Sequence, residues 1–155
     1  TGGALQKGTF VEGFSHPEMG HVLVSRNPKD DFEGVCPFHG HCLEGMAAGP
    51  AIEKRLGRKG QDLAEDDPYW EIEADYIAQC AYNTTLMFSP DVIIFGGGVM
   101  QQDHLVKKVR ARFKELVNEY VKTPALEDYI VTPKLGNNAG TIGCLALARE
   151  AKLHS

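Results

Sequence analysis

The feature that most constrains this chain is a stretch, His16 to Pro50, in which metal-binding side chains and carboxylates are concentrated. It reads HPEMGHVLVSRNPKDDFEGVCPFHGHCLEGMAAGP. Cysteine and histidine at short spacing, closed by a longer loop, are typical of a four-ligand metal site. Such a site can pin a long irregular loop that has little apolar content of its own. The segment therefore predicts a metal-stabilised loop beside a polar ligand site.

The candidate metal ligands in this stretch are His21, Cys36, His39 and Cys42. Zinc bound by two thiolates and two imidazoles forms a neutral, tetrahedral, closed structural site, without the open position that a catalytic zinc needs. The CxxHxxC spacing is less specific than paired CxxC motifs, and His41 could replace His39 as a ligand. A solvated His/Cys loop without metal is the alternative.

Two carboxylates, Glu18 and Glu44, flank the candidate ligands and are placed to hold the hydroxyl groups of a small ligand. Each also has an ordinary explanation. Glu18 could be an exposed turn residue, and Glu44 could be a first-turn charge favoured by the helix dipole. Taken singly, each ordinary explanation is the better supported one.

The composition limits the class of protein. The chain has 155 residues, of which 43% are hydrophobic and 24% charged, as expected for one globular domain with a real core. A net charge of −5 argues against non-specific nucleic-acid binding. The sequence has no run of eighteen apolar residues that would predict a membrane span, and its first residues have no apolar signal-peptide core. Metal-bound cysteines fit a reducing compartment, so we expect a cytoplasmic protein.

Hydrophobic periodicity predicts a mixed α/β order of elements. Residues 3–25 are predicted as a β meander of three short runs, and residues 26–42 as a loop. Cys80 and Cys144 lie in apolar, helix-like stretches and are expected to be buried. The remaining predicted elements are a helix-prone segment Leu43–Leu56 interrupted at Gly49-Pro50, helices Tyr69–Phe88, Asp103–Val121 and Gly140–Lys152, a strand Asp91–Phe95 buried on both faces, and a strand Ile130–Thr132.

Glycine-rich turns follow both of the later predicted strands, at Gly96-Gly97-Gly98 and at 135–140. Such turns bring backbone N–H groups close to a ligand, and a following helix N-terminus favours anions. The first turn is not a dinucleotide fingerprint, because Gln101 stands where glycine or alanine is required, and no Walker A motif occurs. The sequence is compatible with two roles for this first turn, a tight turn without a ligand and a nucleotide contact. Two such turns at the strand ends of one sheet favour a ligand crevice.

Four separated motifs in the same order resemble those of the ROK sugar kinases, and most closely the fructokinase branch of that family. They are HPEMGH, CPFHGHCLEG, FGGGV and LGNNAGTIG, and together they cover nearly the whole chain. In the family, PE-x-GH is followed by a zinc loop that ends in C-x-E, as Cys42-Leu43-Glu44 does here. The common family loop is C-x-C-x4-C. This chain instead carries His39, as fructokinase-like members do, which leaves the choice between His39 and His41 open.

The resemblance implies the fold and the activity. The fold would be an α/β lobe of the actin-like, ribonuclease H-like class, a mixed sheet with helices and a zinc-loop insertion at about residues 26–45. The activity would be that of a hexose kinase, a phosphotransferase that uses ATP with Mg²⁺ to convert fructose to fructose 6-phosphate. The resemblance also implies a homodimer and a structural zinc ion. From the net charge and the lack of an apolar span we expect no nucleic-acid or membrane partner.

The resemblance also implies roles for individual residues. The hexose hydroxyls would be bound by Glu18, His21 and Glu44, with one ring nitrogen of His21 on zinc and the other facing the sugar. The adenine nucleotide would be lined by Pro50, Gly96, Gly97 and Gly98. The zinc ligands would be His21, Cys36, His39 and Cys42.

The family places its catalytic Asp and first phosphate loop in an N-terminal lobe, and neither motif occurs in these 155 residues. We therefore interpret residues 1–155 as a C-terminal lobe, assign no catalytic residue in it, and expect the isolated chain to be inactive. The chain begins without Met, and we expect it to be a piece of a longer protein whose N-terminal lobe is covalent or separate.

Two other functions are compatible with the same residues. The first is the sugar-sensing lobe of a ROK transcriptional repressor, which a helix-turn-helix upstream would indicate. The second is a plain zinc-stabilised binding module. The preferred hexose is not encoded by these residue types, because fructose, mannose and glucose differ in geometry.

Overall fold

The computed structural model describes residues 2–11 and 13–153 and has the predicted mixed order of helices and strands. Short 3₁₀ turns at Met19–His21, Gly60–Asp62, Val99–Gln101 and Gly136–Asn138 connect some of these elements. In chain order the elements are β1 (Leu5–Gln6), β2 (Thr9–Phe10), α1 (Leu43–Ala47), α2 (Gly49–Leu56), α3 (Tyr69–Phe88), β3 (Ile93–Ile94), α4 (Asp103–Val117), α5 (Leu126–Tyr129), β4 (Ile130–Val131) and α6 (Ala139–Leu153).

The first two runs of the predicted meander form an antiparallel hairpin, in which Leu5 pairs with Phe10. Its turn has positive φ at both central residues, Lys7 (53°) and Gly8 (81°), which matches the twist of a two-residue hairpin. The predicted third strand is wrong. Part of it is a 3₁₀ turn, and Leu23 makes an isolated bridge to Cys42, so this segment joins the start of α1 instead of the hairpin.

The core lies between α3 and α4. Trp70, Leu105 and Val109 are completely buried, and Phe113 packs its ring against Tyr129. Helix α3 has the predicted bounds.

Helix α4 is four residues shorter than predicted. It ends at Val117, because Asn118 and Glu119 have φ values of 45° and 62°, in the left-handed region.

The two later strands pair in parallel, with Ile93 opposite Ile130 and Ile94 opposite Val131. The prediction that β3 is buried on both faces is wrong. Ile93 is 8% exposed and lies in the core, whereas Ile94 is 61% exposed. A parallel strand is buried on both faces when helices cover both sides of its sheet, and in the described part of the chain one side is covered.

Helix α6 is close to its predicted bounds, but its apolar side chains are exposed. Cys144 is exposed, so its predicted burial is wrong, while Cys80 in α3 is buried as expected. The reason is position: α6 has its main contacts with the turn Gly136–Asn138 that precedes it, not with the core. Among the residues that the structure describes, none of the helices has both the length and the apolar character that crossing a membrane requires.

The helix-prone segment is interrupted as predicted, but at Ala48, one residue before the predicted Gly49-Pro50; the Ala48 backbone is extended (φ −95°, ψ 160°). Pro50 lies in the first turn of α2, where its missing N–H costs nothing. The break lets α1 stay with the loop that precedes it, while α2 turns toward the glycine-rich turn after β3.

Candidate metal centre and ligand cleft

The loop at 26–42 folds back on α1 through backbone contacts. The Val35 N–H donates to the Gly45 carbonyl at 3.0 Å, and Gly40 donates to Cys36 at 2.9 Å. A Cβ atom on Gly34 or on Gly45 would lie 2.0 Å from the carbonyl oxygen of Gly40. Glycine is therefore required at both positions for the loop to approach the helix this closely.

This fold brings the four predicted metal ligands together. Nδ1 of His21 lies 3.5 Å from Sγ of Cys42 and 3.7 Å from Sγ of Cys36, and Nδ1 of His39 lies 3.7 Å from the same Cys36 sulfur. All four ligand atoms lie within 4.8 Å of one another. Tetrahedral zinc with ordinary Zn–S and Zn–N bond lengths would separate sulfur from nitrogen by about 3.6 Å. The donor set fits a single tetrahedral ion.

Of the two histidines that the sequence left open, one lies with the other candidate ligand atoms. In the described part of the chain, the group of convergent ligand atoms contains His39, and His41 is exposed outside it. The His39 and His21 rings lie 5.4 Å apart between centroids, on the same side of the loop.

The two thiols have different environments. Hydrogen bonding to the backbone of His39 lowers the pKa of the Cys36 thiol to about 7, although partial desolvation acts against this. Burial raises the pKa of the Cys42 thiol, which has no solvent exposure. A thiolate that forms near neutral pH is a ready metal ligand.

The two ring nitrogens of His21 face different side chains. Nδ1 faces the cysteine sulfurs, and Nε2 lies 3.8 Å from a carboxylate oxygen of Glu44. Glu44 stands in the first turn of α1, two residues after Cys42, and its side chain is 52% exposed. One imidazole thus separates the candidate metal centre from a carboxylate that faces solvent.

Glu18 lies next to this arrangement through the backbone. Its carbonyl accepts a hydrogen bond from the His21 N–H at 2.9 Å, and its carboxylate is bound by His16 Nε2 at 2.6 Å. The His16–Glu18 pair was not predicted from the sequence. The sequence pattern that could have indicated this pair is the i, i+2 spacing of a histidine and a glutamate just before a turn.

A second feature is a cleft of about 460 Å³ between α2, the start of α3 and the turn after β3. Two of the predicted nucleotide residues, Pro50 and Gly98, line it. Gly96 and Gly97 belong to the same turn but do not line the cleft. Sequence reasoning missed Lys59 and Trp70, which also line it. The sequence offered little indication of their role, because a lysine in a polar segment and a tryptophan near the start of a helix are both common.

The glycine turn leaves room beside its backbone. Gly97 has a φ of +104°, and a Cβ atom on Gly97 or Gly98 would meet no other atom within 4 Å, whereas Gly96 packs on Pro133. The second glycine-rich turn lies next to the first, since the Gln101 side chain donates to Asn137. The two turns therefore meet at one end of the sheet, as predicted for a ligand crevice.

A model of the ROK family matches residues 1–151. The chain belongs to the ROK family. This ROK chain is 46% identical over 152 residues to a fructokinase from Streptococcus mutans, with 96% of this chain and 52% of the relative covered. It is 48% identical over 149 residues to a fructokinase from Pediococcus pentosaceus, with the same shares covered. The ROK chain spans about half the length of these relatives.

The solved structure of a ROK hexokinase from Thermus thermophilus has a similar fold. The TM-score is 0.72 at 21% identity, over 91% of this chain and 50% of that one. This likeness agrees with the actin-like α/β fold that the resemblance of the sequence motifs implied.

Proposed function

We propose that residues 1–155 form the C-terminal lobe of an ATP-dependent hexose kinase, and that its substrate is fructose, converted to fructose 6-phosphate. The observation that carries this proposal is the identity of 45–48% to proteins named as fructokinases over nearly the whole chain. A repressor lobe that senses sugar is less well supported, because these relatives are named as kinases.

In this proposal the sugar hydroxyls are bound by Glu18, His21 and Glu44. A sugar hydroxyl is a hydrogen-bond donor, and a buried donor without an acceptor is costly, so carboxylates suit the role. The Glu18 and Glu44 side chains are 48% and 52% exposed, which leaves both accessible to a ligand. The Nε2 atom of His21 beside Glu44 supplies a third polar contact on the same side.

The proposed role of zinc is structural. His21, Cys36, His39 and Cys42 would hold it and would thereby fix a loop insertion at about residues 26–45. Because Glu44 follows Cys42 by two residues, a fixed Cys42 also fixes the start of α1 and the direction of that carboxylate. Bound zinc supplies folding free energy to a loop that has few apolar contacts of its own.

The proposed nucleotide site is the cleft lined by Pro50 and Gly98, with the backbone of Gly96 and Gly97 next to it. Glycines without neighbours around the Cβ position allow phosphates or a base to approach the main chain. Magnesium bound with ATP neutralises charge on the transferred phosphates. We also propose a homodimer and a cytoplasmic location, the latter because thiolate ligands persist in reducing compartments.

The test is a coupled phosphorylation assay with the intact polypeptide that contains this chain, using fructose, glucose and mannose. We expect fructose to give the highest kcat/KM, and Glu44→Gln to lower kcat/KM for fructose by at least tenfold, because one charged acceptor is lost.

The matched control is Glu65→Gln, an exposed carboxylate away from the site, which should not change the rates. Absence of phosphorylation with all three sugars, together with sugar-dependent DNA binding, would support the repressor instead.

A further inference from the structure

One buried guanidinium joins the candidate metal loop to helix α2. Arg55, in the last turn of α2, donates from Nε to one carboxylate oxygen of Asp30 at 3.2 Å and from Nη2 to the other at 2.9 Å. The two side chains are 8% and 3% exposed. Asp30 belongs to the same loop as Cys36 and His39. This is a bidentate, desolvated pair between two separate segments.

The same guanidinium contacts two further helices. Nη1 and Nη2 both donate to the Met46 carbonyl of α1 at 3.0 Å, and Nη1 donates to the Tyr69 hydroxyl of α3 at 2.7 Å. The guanidinium carbon also lies 4.2 Å from the ring centroid of Phe32 in the loop. Arginine can do this because it has five donors in a planar fork, whereas lysine has three donors at one point.

The elements that Arg55 joins carry the two candidate sites. Helix α1 carries Glu44, and the loop carries Cys36, His39 and Cys42, three of the four candidate metal ligands. Helix α2 forms one wall of the cleft through Gly49, Pro50, Ile52 and Glu53. Arg55 itself is not among the residues that line the cleft or converge on the metal centre. It therefore lies between the two sites and contacts the supports of both.

We propose that Arg55 is a positioning residue that holds the metal loop and the cleft wall in one arrangement, so that metal loading and nucleotide binding are energetically coupled. This rests on the proposed function, because it takes the cluster as a zinc site and the cleft as a nucleotide site. Zinc orders the loop that carries Asp30, and the Asp30–Arg55 pair transmits that order to α2. Coupling of this kind is reciprocal, so nucleotide also tightens zinc binding.

The experiment uses Trp70, which is the single tryptophan of the chain and lines the cleft. Its fluorescence reports the Kd of MgATP for the zinc-loaded chain and for the chain stripped with a chelator. In the unmodified chain we expect zinc removal to weaken ATP binding at least fivefold. In Arg55→Lys we expect the same ratio to fall to about one, because lysine cannot span Asp30, Met46 and Tyr69.

The matched control is Arg110→Lys. The Arg110 guanidinium also binds backbone carbonyls, those of Ile130 and Glu127, but it joins α4 to the region of β4, away from the loop. This variant should keep the fivefold ratio. Asp30→Asn is a second variant that keeps the side-chain shape and should also abolish the ratio, and circular dichroism checks that each variant is folded.

The outcomes separate the two proposals. A ratio of one in the unmodified chain, or an unchanged ratio in Arg55→Lys and Asp30→Asn, overturns the positioning role and leaves the kinase proposal intact. If the unmodified chain binds neither zinc nor MgATP, the proposed function itself fails. A purely structural role for Arg55 would lower the stability of the fold without changing the ratio.

Discussion

At the scale of single residues, Glu73 is a buried carboxyl whose hydrogen-bonding capacity is only partly used in the described structure. Its side chain is completely buried, Oε2 accepts a hydrogen bond from Tyr69, and Oε1 has no hydrogen-bond partner among the described residues. Burial raises the pKa of Glu73 to about 7, although the Tyr69 hydrogen bond and the charge of Arg55 oppose the shift. The buried carboxyl is therefore a source of pH-dependent stability.

The sign of that dependence follows from proton binding. Between the unfolded pKa of 4.5 and the folded value of about 7, the native state binds more protons than the unfolded state. The free energy of unfolding should therefore fall as the pH rises through this window, and level off above it. For a shift of this size the contribution lost between pH 5 and 7.5 is about 2 kcal/mol.

Glu73→Gln should remove this slope, because glutamine stays neutral at every pH. Urea unfolding at pH 5 and pH 7.5 measures it, and the exposed Glu65→Gln variant should keep the slope of the unmodified chain. Equal slopes in Glu73→Gln and the unmodified chain would show that the carboxyl titrates near its ordinary value.

At the scale of elements, the candidate metal loop at 26–42 is held by contacts with segments distant in sequence, among them helices α1 and α2. Its close approach to α1 needs Gly34 in the loop and Gly45 in the helix. One of its candidate ligands comes from the 3₁₀ turn before it and the other three come from the loop itself, with Cys42 directly before α1. Helices α3 and α4, by contrast, form from local hydrophobic periodicity and pack on each other. We therefore expect the loop, and not the helix pair, to require the metal.

Cys36→Ser and Cys42→Ser should each lower the zinc content from about one ion per chain to near zero, because a closed four-ligand site loses a thiolate. Metal analysis after gel filtration measures this. Cys144→Ser is the matched control, since Cys144 is exposed on α6 outside the cluster. Full zinc content in both loop variants would show that the cluster is not a zinc site.

At the scale of the whole molecule, the described structure holds both the candidate sugar-binding residues and the cleft proposed for the nucleotide. The 3₁₀ turn before the loop and helix α1 carry the candidate sugar-binding residues, while α2 and the turn after β3 line the cleft. Arg55 contacts the loop, α1 and α3 from its place on α2. Phosphoryl transfer also needs a base and further phosphate contacts held in register with these groups. We propose that another lobe supplies them.

The isolated 155-residue chain should therefore bind zinc and MgATP but should not phosphorylate fructose. A coupled assay of the isolated chain beside the intact polypeptide measures the difference, and a rate in the isolated chain near that of the intact protein would contradict it. Titration of MgATP followed by Trp70 fluorescence is the control that the isolated chain is folded and competent to bind.

The sequence by itself determined those features that depend on the spacing of nearby residues. The bounds of α3, the break at Ala48 before Pro50, the ligand types and the family motifs all depend on residues close together in the chain. The C-terminal end of α4 and the exposure of Ile94 and Cys144 were missed, because they depend on backbone conformation and on which surfaces are covered.

The tertiary structure alone decided which distant residues meet. It placed His39, and not His41, beside the other candidate ligand atoms, turned the two nitrogens of His21 toward different side chains, and placed Asp30 on Arg55 across 25 residues of sequence. A histidine or arginine side chain has the same donor and ligand atoms wherever the fold places it. Its partners are set by how loop, turn and helix pack together, and that packing is a property of the folded chain.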